Sequence, residues 1–509
     1  MIRNVVEYLQ ESASKYPDKT ALIDEHRSMT FKELDIKAQK LASAIAKQCG
    51  YIKNRPIAVC MTKGIECIVA FLGIAYSGNF YCPLDPKSPI DRINRILNVL
   101  EPIAVVYRDK ALDGMICSGQ EILYEKIEKQ SINVDAVMQY QKVLDIDPLY
   151  ILFTSGSTGQ PKGVVISHKG VIDYIEWLYY KFSFSEKTIF GNQAPFYFDN
   201  SILDIYSTLK NGATMVVIPE KLFMFPQLLL EFVNKYKINT LFWVPSALIV
   251  VANSGILDKV YMDALEKVLF AGEVMPNKQL NVWRKHYPNI QYANLYGPTE
   301  ITDICTYYIV NREFRDDEDL PIGYACENTE ILVLNEQDKL VEDNEIGELC
   351  VRGTGIAMGY YGDYEKTDKV FVQNPLNSNY RDIIYRTGDL VKYNEYGEII
   401  YLSRKDFQIK HQGHRIELGE IETMANSLEG IDHSCAIYDD INKKIVLFCI
   451  TSKGLSEKQI YKLLADKIPK YMLPTHISIL DQMPLNINGK IDRVKLKSFI
   501  EVTKNERVW

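Results

Sequence analysis

No segment of the 509-residue chain approaches the roughly 18 uninterrupted apolar residues that a membrane-crossing helix needs, so no membrane span is expected. The first thirty residues carry charges throughout and lack an apolar stretch ending in a small-residue cleavage site. No secretory signal is readable there, and a cytoplasmic location is expected. Long blocks of one charge sign are missing too. Fifty-eight Lys+Arg against 66 Asp+Glu leave a net charge of -8, which argues against a general nucleic-acid or anionic-membrane binder. The ten cysteines include no C-x-x-C pair and no metal-like Cys/His spacing, and several sit in apolar strand-like runs such as Ile57-Ala58-Val59-Cys60-Met61. They read as reduced packing residues. Internal repeats and low-complexity linkers are also absent. What is present, 47% hydrophobic and 24% charged residues, is the composition of a packed globular protein. The length allows about three or four compact units, or one large α/β body with an appendage.

From about residue 56, short β-branched runs alternate with longer amphipathic ones: 56–61 then 65–78, 104–107, 213–218 then 225–237, 239–244, 267–272 and 291–297. Strand, helix, strand, helix is the pattern of parallel sheets covered on both faces. Later, 330–334, 347–352 and 398–402 are short alternating runs bounded by turn residues, as in a small barrel or meander. After Asp406 the pattern resets to a charged strand, a helix over 418–428, a strand over 445–450 and a helix over 456–468. The chain therefore reads as an α/β body over 1–405, with mixed and parallel sheets plus a barrel-like subdomain, and a small α+β lobe over 406–509. The junction at Asp406 has room only for a tight hinge.

The strongest local signal is Tyr150-Ile151-Leu152-Phe153-Thr154-Ser155-Gly156-Ser157-Thr158-Gly159-Gln160-Pro161-Lys162-Gly163. A hydrophobic strand runs into a loop of glycines, hydroxyls and one lysine. Successive backbone N–H groups and hydroxyls can converge there on phosphate oxygens while Lys162 adds positive charge. The loop is not a Walker A motif, because Gly-x4-Gly-Lys-[Ser/Thr] is absent and Pro161 precedes the lysine.

Together with Asn294-Leu295-Tyr296-Gly297-Pro298-Thr299-Glu300, Tyr385-Arg386-Thr387-Gly388-Asp389-Leu390, Ser403-Arg404-Lys405-Asp406-Phe407-Gln408-Ile409-Lys410, Gly413-His414-Arg415-Ile416-Glu417 and Asn486-Ile487-Asn488-Gly489-Lys490-Ile491-Asp492-Arg493, that loop resembles the ordered motif set of adenylate-forming enzymes. Within that superfamily the chain is most similar to the amino-acid adenylation domains of nonribosomal peptide synthetases and to D-alanine–carrier-protein ligases. The likeness runs from Leu72 to Arg493.

The resemblance implies that an acid is joined to the α-phosphorus of ATP with Mg2+. A carboxylic acid with a pKa of about 4 is already ionised at neutral pH, so the chemical problem is repulsion between anions rather than proton removal. By resemblance, Lys490 is the catalytic cation between substrate carboxylate and α-phosphate. Thr154, Ser155, Gly156, Ser157, Thr158, Gly159 and Lys162 cradle phosphates, and Asn294, Tyr296, Gly297 and Thr299 hold the nucleotide, with the Tyr296 ring offered to adenine. Asp389 accepts from the ribose hydroxyls, Arg404 and Lys410 add charge near ribose and phosphates, and Glu300 holds the metal. Asp406 is the hinge of a mobile lobe, and Gly413 lines a tunnel for the phosphopantetheine arm of a carrier protein. Two departures from the family pattern, Ser403 for a common Gly and His411-Gln412 before Gly413, touch only hinge and tunnel detail.

Asp199 matches the aspartate that pairs with the α-ammonium of amino-acid substrates, although it could equally cap a helix over 201–210. By the same motif offsets the side-chain pocket is lined by Asn200, Leu203, Phe242, Leu269, Ala271, Leu295, Asp303 and Ile304. That set suits a largely hydrophobic side chain, with Asp303 free to meet one donor or a neighbouring backbone N–H. Ala271 stands where D-alanine ligases typically carry Cys, which tilts the reading towards an L-amino acid. Only 19 residues follow Lys490, too few for a carrier domain, because domains below about 40 residues rarely fold alone. The expectation is a stand-alone, monomeric amino-acid adenylating enzyme serving a separate phosphopantetheinylated carrier, with no nucleic-acid partner. D-alanine ligation and acyl-CoA ligation are the alternatives, followed by a non-catalytic relative and a generic P-loop ATPase.

Overall fold

Two sheets build the body. The computed structural model describes residues 2–108, 110–156, 160–342, 344–485 and 491–505. In the larger, nine-stranded sheet the order is Tyr324–Ala325, Thr306–Ile309, Gln291–Tyr296, Lys267–Phe270, Thr240–Trp243, Ile189–Asn192, Thr214–Val217, Thr20–Ile23, Ser28–Thr30. The strands from Gln291–Tyr296 to Thr20–Ile23 run parallel, and antiparallel strands close both ends. The six-stranded sheet runs Gln120–Leu123, Ala104–Tyr107, Pro56–Cys60, Phe80–Leu84, Pro148–Thr154, Lys162–Ser167, with only the last pair antiparallel.

The expected alternation thus appears with shifted ends: Ala104–Tyr107 has the anticipated bounds, and the helix expected over 65–78 spans Ile65–Tyr76. Apart from Glu66, which pairs with Arg27, that helix is apolar on every side, as burial along its whole length requires. It joins Ser201–Asn211 and residues of both sheets in the largest core cluster. A second cluster lies under the helices Pro226–Lys235, Pro245–Asn253 and Asn277–His286, and a third under Ile90–Leu100, so helices cover the outer sheet faces. Gly73 permits a close contact between the helices Ile65–Tyr76 and Phe31–Cys49. A Cβ there would stand 2.8 Å from the Ala38 carbonyl oxygen.

The alternating runs beyond residue 320 form a five-stranded sheet built on Thr329–Leu334, Gly347–Gly353, Ile383–Tyr393, Phe371–Gln373 and Ile399–Arg404. After it come the hairpin Gln408–His411 with His414–Glu417, then a three-stranded sheet, Ile431–Asp439, Lys444–Thr451 and His476–Ile479. The helices Leu418–Asn426 and Glu457–Ala465 pack on that sheet in their own core cluster. The fold is therefore α/β with a small α+β unit at the C-terminal end. Among the described residues no helix is long and apolar enough to cross a membrane, and no three His, Cys, Asp or Glu side chains cluster as a metal site. The cysteines are all free thiols, eight of them buried, as a packing role requires.

Candidate active site

Parallel strands deliver loops to one edge of a sheet, and the predicted residues collect there. Gln291–Tyr296 ends in Gly297-Pro298, after which a single 3-10 turn, Thr299–Ile301, carries Glu300 into the interior. Thr302 and Asp303 then adopt left-handed backbone conformations, φ 59° and 74°. That reversal presses against Gly297, where a Cβ would lie 2.1 Å from the Asp303 carbonyl oxygen. Asp303 reaches its position through this turn, which no local sequence pattern announces.

Glu300 is completely buried. Its Oε1 accepts from the Tyr360 hydroxyl at 2.8 Å and lies 3.4 Å from Lys162 Nζ, while its Oε2 lies 2.5 Å from Arg415 Nη1. Burial alone would raise its pKa; the Arg415 and Lys162 charges override this and hold the carboxyl below the usual carboxylate range. Burial and the Arg415 charge push Lys162 down in turn. The Lys162 ammonium also sits 5.0 Å from the centre of the Tyr360 ring.

The glycine-hydroxyl loop leaves the strand Pro148–Thr154 as expected. Ser155 Oγ donates to the Arg415 carbonyl at 2.8 Å and accepts from the Glu417 N–H at 3.1 Å, so the hairpin of the C-terminal unit is docked on the loop. The Thr154 hydroxyl is buried without a partner. Ser157, Thr158, Gly159 and Lys490 lie outside the described residues.

Asp389 is buried against the Arg404 guanidinium, 2.9 Å away, and the Tyr296 hydroxyl. Arg404 also makes a two-point pair with Asp406, at 2.6 and 2.8 Å. Lys410 stands 4.7 Å over the Tyr296 ring, so in this arrangement a cation covers the face expected to meet adenine. The Asn294 side chain donates to the Pro321 carbonyl. Asn294, Tyr296, Arg404 and Lys410 line one wall of a cavity of about 800 Å³ that passes Gln412 and opens between body and lobe. A smaller cavity of about 70 Å³ meets Asp199, Thr299 and Arg415.

Asp199 is buried. Its carboxylate accepts from the Thr299 hydroxyl at 2.6 Å and from the Asn200 N–H at 3.0 Å. Burial raises its pKa, which those two donors counteract. The helix-cap alternative does not hold. Helix Ser201–Asn211 begins after Asn200, makes no side-chain cap, and takes only the backbone carbonyl of Asp199.

Phe242 and Leu269 are register partners on neighbouring parallel strands, and Leu269 pairs with Ala293, two residues before Leu295. Alternation therefore puts Phe242, Leu269, Ala271 and Leu295 on one face, where they meet Leu203 and Ile304 in the main core cluster. The Tyr174 hydroxyl donates to Asp303 at 2.7 Å. Burial, with repulsion from Asp199, raises the Asp303 pKa well above the carboxylate range. Two further polar groups here, Tyr150 Oη and Asn200 Nδ2, are buried without partners. Gly413, φ +77°, faces Val244, and a Cβ there would stand 2.7 Å from Val244 Cγ1.

Sequence reasoning missed Tyr150, Tyr174 and Tyr360, whose spacing carries no signal, and gave no partner to Arg415 although it lies inside a recognised motif.

The model of the AMP-binding enzyme family matches residues 9–361, and that of the AMP-binding enzyme C-terminal domain matches 420–490. The chain is 31% identical to a D-alanine–D-alanyl carrier protein ligase of Bacillus licheniformis, covering 98% of this chain and 100% of the relative. It is 30% identical to an L-proline–[L-prolyl-carrier protein] ligase of Pseudomonas fluorescens, covering 97% and 99%. Of two further curated relatives at 32% identity it spans only 9% and 8% of the length. The solved adenylation domain AlmE of Vibrio cholerae, in complex with glycyl-adenosine-5'-phosphate, superposes with TM-score 0.81 at 21% identity over 99% of this chain and 98% of AlmE. With family models matched over most of its length and relatives of the same length aligned end to end, the chain belongs to the AMP-binding enzyme family.

Proposed function

We propose that the protein activates an amino acid as aminoacyl-AMP and passes the aminoacyl group to the phosphopantetheine thiol of a separate carrier protein. The observation that carries this reading is Asp199, a buried carboxylate held by two neutral donors beside the loop and Glu300. Such a group gains most from a cation, and the α-ammonium of an amino acid supplies one. In the first step the substrate carboxylate oxygen bonds to the α-phosphorus of ATP and the bond to pyrophosphate breaks. In the second, the carrier thiol adds to the anhydride carbonyl and AMP leaves.

The chain's own contribution is neutralisation and alignment. Lys162 and the loop amides meet phosphate oxygens, Asp389 and Arg404 hold the ribose end, and Lys490 serves as the cation between the reacting anions. Glu300 suits Mg2+, which takes one or two carboxylates together with substrate phosphates: it is a buried carboxylate whose present neighbours are cations. Bound there, the ion would screen the charge of the leaving pyrophosphate. The apolar wall formed by Phe242, Leu269, Ala271 and Leu295, ending at Asp303, Tyr174 and Tyr150, favours a largely apolar side chain carrying one hydrogen-bond donor.

ATP–pyrophosphate exchange over the proteinogenic amino acids, D-alanine and ω-amino and hydroxy amino acids tests both levels. Exchange with one donor-bearing amino acid is expected, and Asp303→Leu should reorder the ranking while leaving the ATP KM unchanged. An unaltered ranking would place Asp303 outside the pocket. Exchange supported only by acids without an amino group would overturn the amino-acid reading.

A further inference from the structure

Asp199 sits on a segment that is anchored from the other sheet. Strand Ile189–Asn192 of the nine-stranded sheet ends at Asn192-Gln193, and the chain then runs through Phe196 and Phe198 to Asp199 and the helix Ser201–Asn211. Lys63 reaches this segment from the turn after strand Pro56–Cys60 of the six-stranded sheet. Its ammonium donates to the Gln193 carbonyl at 2.9 Å and to the Asn192 carbonyl at 3.3 Å, and lies 5.6 Å from the centre of the Phe196 ring. The Gln193 side chain in turn accepts the Val244 N–H at 3.4 Å, just past the strand Thr240–Trp243 that supplies Phe242 to the pocket wall. Asn192 also donates through its side-chain amide to Asp204 at 2.8 Å. That carboxyl is completely buried, and its second oxygen has no hydrogen-bond partner among the described residues. The Asp204 and Lys63 charges favour one another. Arg92, by contrast, is buried directly against the Glu420 carboxylate of the C-terminal unit. Lys63 instead directs its donors at the backbone where the Asp199 segment begins.

We infer that Lys63 is a positioning residue for recognition of the substrate amino group: by tying the Asn192 and Gln193 carbonyls to the six-stranded sheet it fixes the segment that presents Asp199, and so sets the affinity for the amino acid rather than for ATP, an inference that rests on the proposed pairing of Asp199 with the α-ammonium. The segment has little slack. The Phe198 N–H bonds to the Pro195 carbonyl at 3.1 Å and the Ser201 N–H to the Phe198 carbonyl at 3.2 Å, so consecutive turns join Gln193 to Asp199 and a displaced start displaces the carboxylate. A shift of about 1 Å is enough to cost a well-aligned site a large factor in rate or binding. Lys162, Asp389 and Arg404 stand on other segments, which makes the effect selective for the amino acid. Burial pushes the Lys63 ammonium down to about 7, against the opposing charges of Asp204 and Glu220. Cys67 and Lys87 act on it as well, and Asp85 and Tyr197 line the same small space. Burial pushes Asp204 up to about 7, so the pair exchanges protons with solvent near neutrality. Once Lys63 loses its proton, its bonds to the two carbonyls lose their charge assistance and weaken.

The test is steady-state ATP–pyrophosphate exchange by the full chain, with the amino acid that supports the fastest exchange. Lys63→Met, which keeps the aliphatic stem, should raise the amino-acid KM about tenfold, the worth of one charge-assisted hydrogen bond, while kcat and the ATP KM stay within about twofold. Lys63→Arg, which keeps the charge and the donors, should recover most of that loss. The pH profile adds a readout that a merely structural lysine would not move. In the parent, kcat/KM for the amino acid should fall as pH rises through about 7, and Lys63→Arg, charged throughout, should lack that fall. An unchanged amino-acid KM in Lys63→Met, an ATP KM that rises in step with it, or identical pH profiles for the parent and Lys63→Arg would overturn the inference. Should Lys63→Met fail to fold, as judged by circular dichroism, the two pH profiles decide. Failure of the amino-acid reading would show separately in the parent, as exchange supported only by acids without an amino group.

Discussion

Glu300 is a carboxylate with no water-facing surface between two cations, and its removal exposes the cost of that arrangement. A buried pair that loses one partner costs about 3–5 kcal/mol, because the surviving charge stays desolvated. Glu300→Gln should therefore lower the urea-derived unfolding free energy by about that amount. Adding Arg415→Gln should return part of the loss, since the second change removes an uncompensated charge. Additive single effects would show that the two side chains are not coupled. For Asp199, replacement by Ala should cut kcat/KM for the amino acid by a few kcal/mol of transition-state binding, about a hundredfold, with little change in stability. An unaltered kcat/KM would leave the carboxylate a structural acceptor for Thr299. Lys162 was legible from the residues themselves, in a strand that runs into a loop of glycines and hydroxyls, whereas Glu300, Asp389 and Arg404 were singled out by motifs that resemble the family's. The guanidinium on Glu300 was not, because the two are separated by 115 residues and meet only through docking of the hairpin.

Elements were more legible than contacts wherever hydrophobic period alone decided them. Strands such as Lys267–Phe270 and Gln291–Tyr296, each a short apolar run after a polar turn, lie within two residues of their expected ends. The charged stretch after Asp406 read as one strand, whereas it is a hairpin whose tip, Gln412-Gly413, has φ 52° and 77°, the two left-handed residues of a tight two-residue turn. Glutamine is not a usual turn marker, which is why the reversal went unread. That tip yields a prediction. Gly413→Ala adds both backbone strain, about 1–2 kcal/mol, and a carbon 2.7 Å from Val244 Cγ1. Pairing it with Val244→Ala should relieve the contact and leave the strain, so exchange protection of the hairpin should recover in part. Full recovery would mean the turn tolerates alanine, and no recovery would mean Val244 does not set the approach.

At the scale of the whole molecule, two imidazoles, His168 buried and His414 half-buried, set a response to acid. Burial pushes both His168 and His414 down from 6.5 to about 3, His414 with added repulsion from His411, and His168 Nδ1 accepts the Val5 N–H in neutral form. The unfolded chain takes up these protons below about pH 6.5 while the fold does not, so stability present above that pH falls away between 6.5 and 3. The slope is about 1.4 kcal/mol per pH unit for each histidine. His168→Gln should remove one such slope: the stability difference between parent and variant should narrow by about 1 kcal/mol between pH 6.5 and 5.5. A constant difference would mean that His168 is already charged in the fold.

The buried ion pair of Arg92 with Glu420 joins residues 328 positions apart. At ribosomal rates of about 5–20 residues per second, Arg92 is made about 15–65 s before its counter-ion exists. During that interval helix Ile90–Leu100 cannot bury the guanidinium at its final depth, and the nascent body must keep this face open to water until the last hundred or so residues emerge.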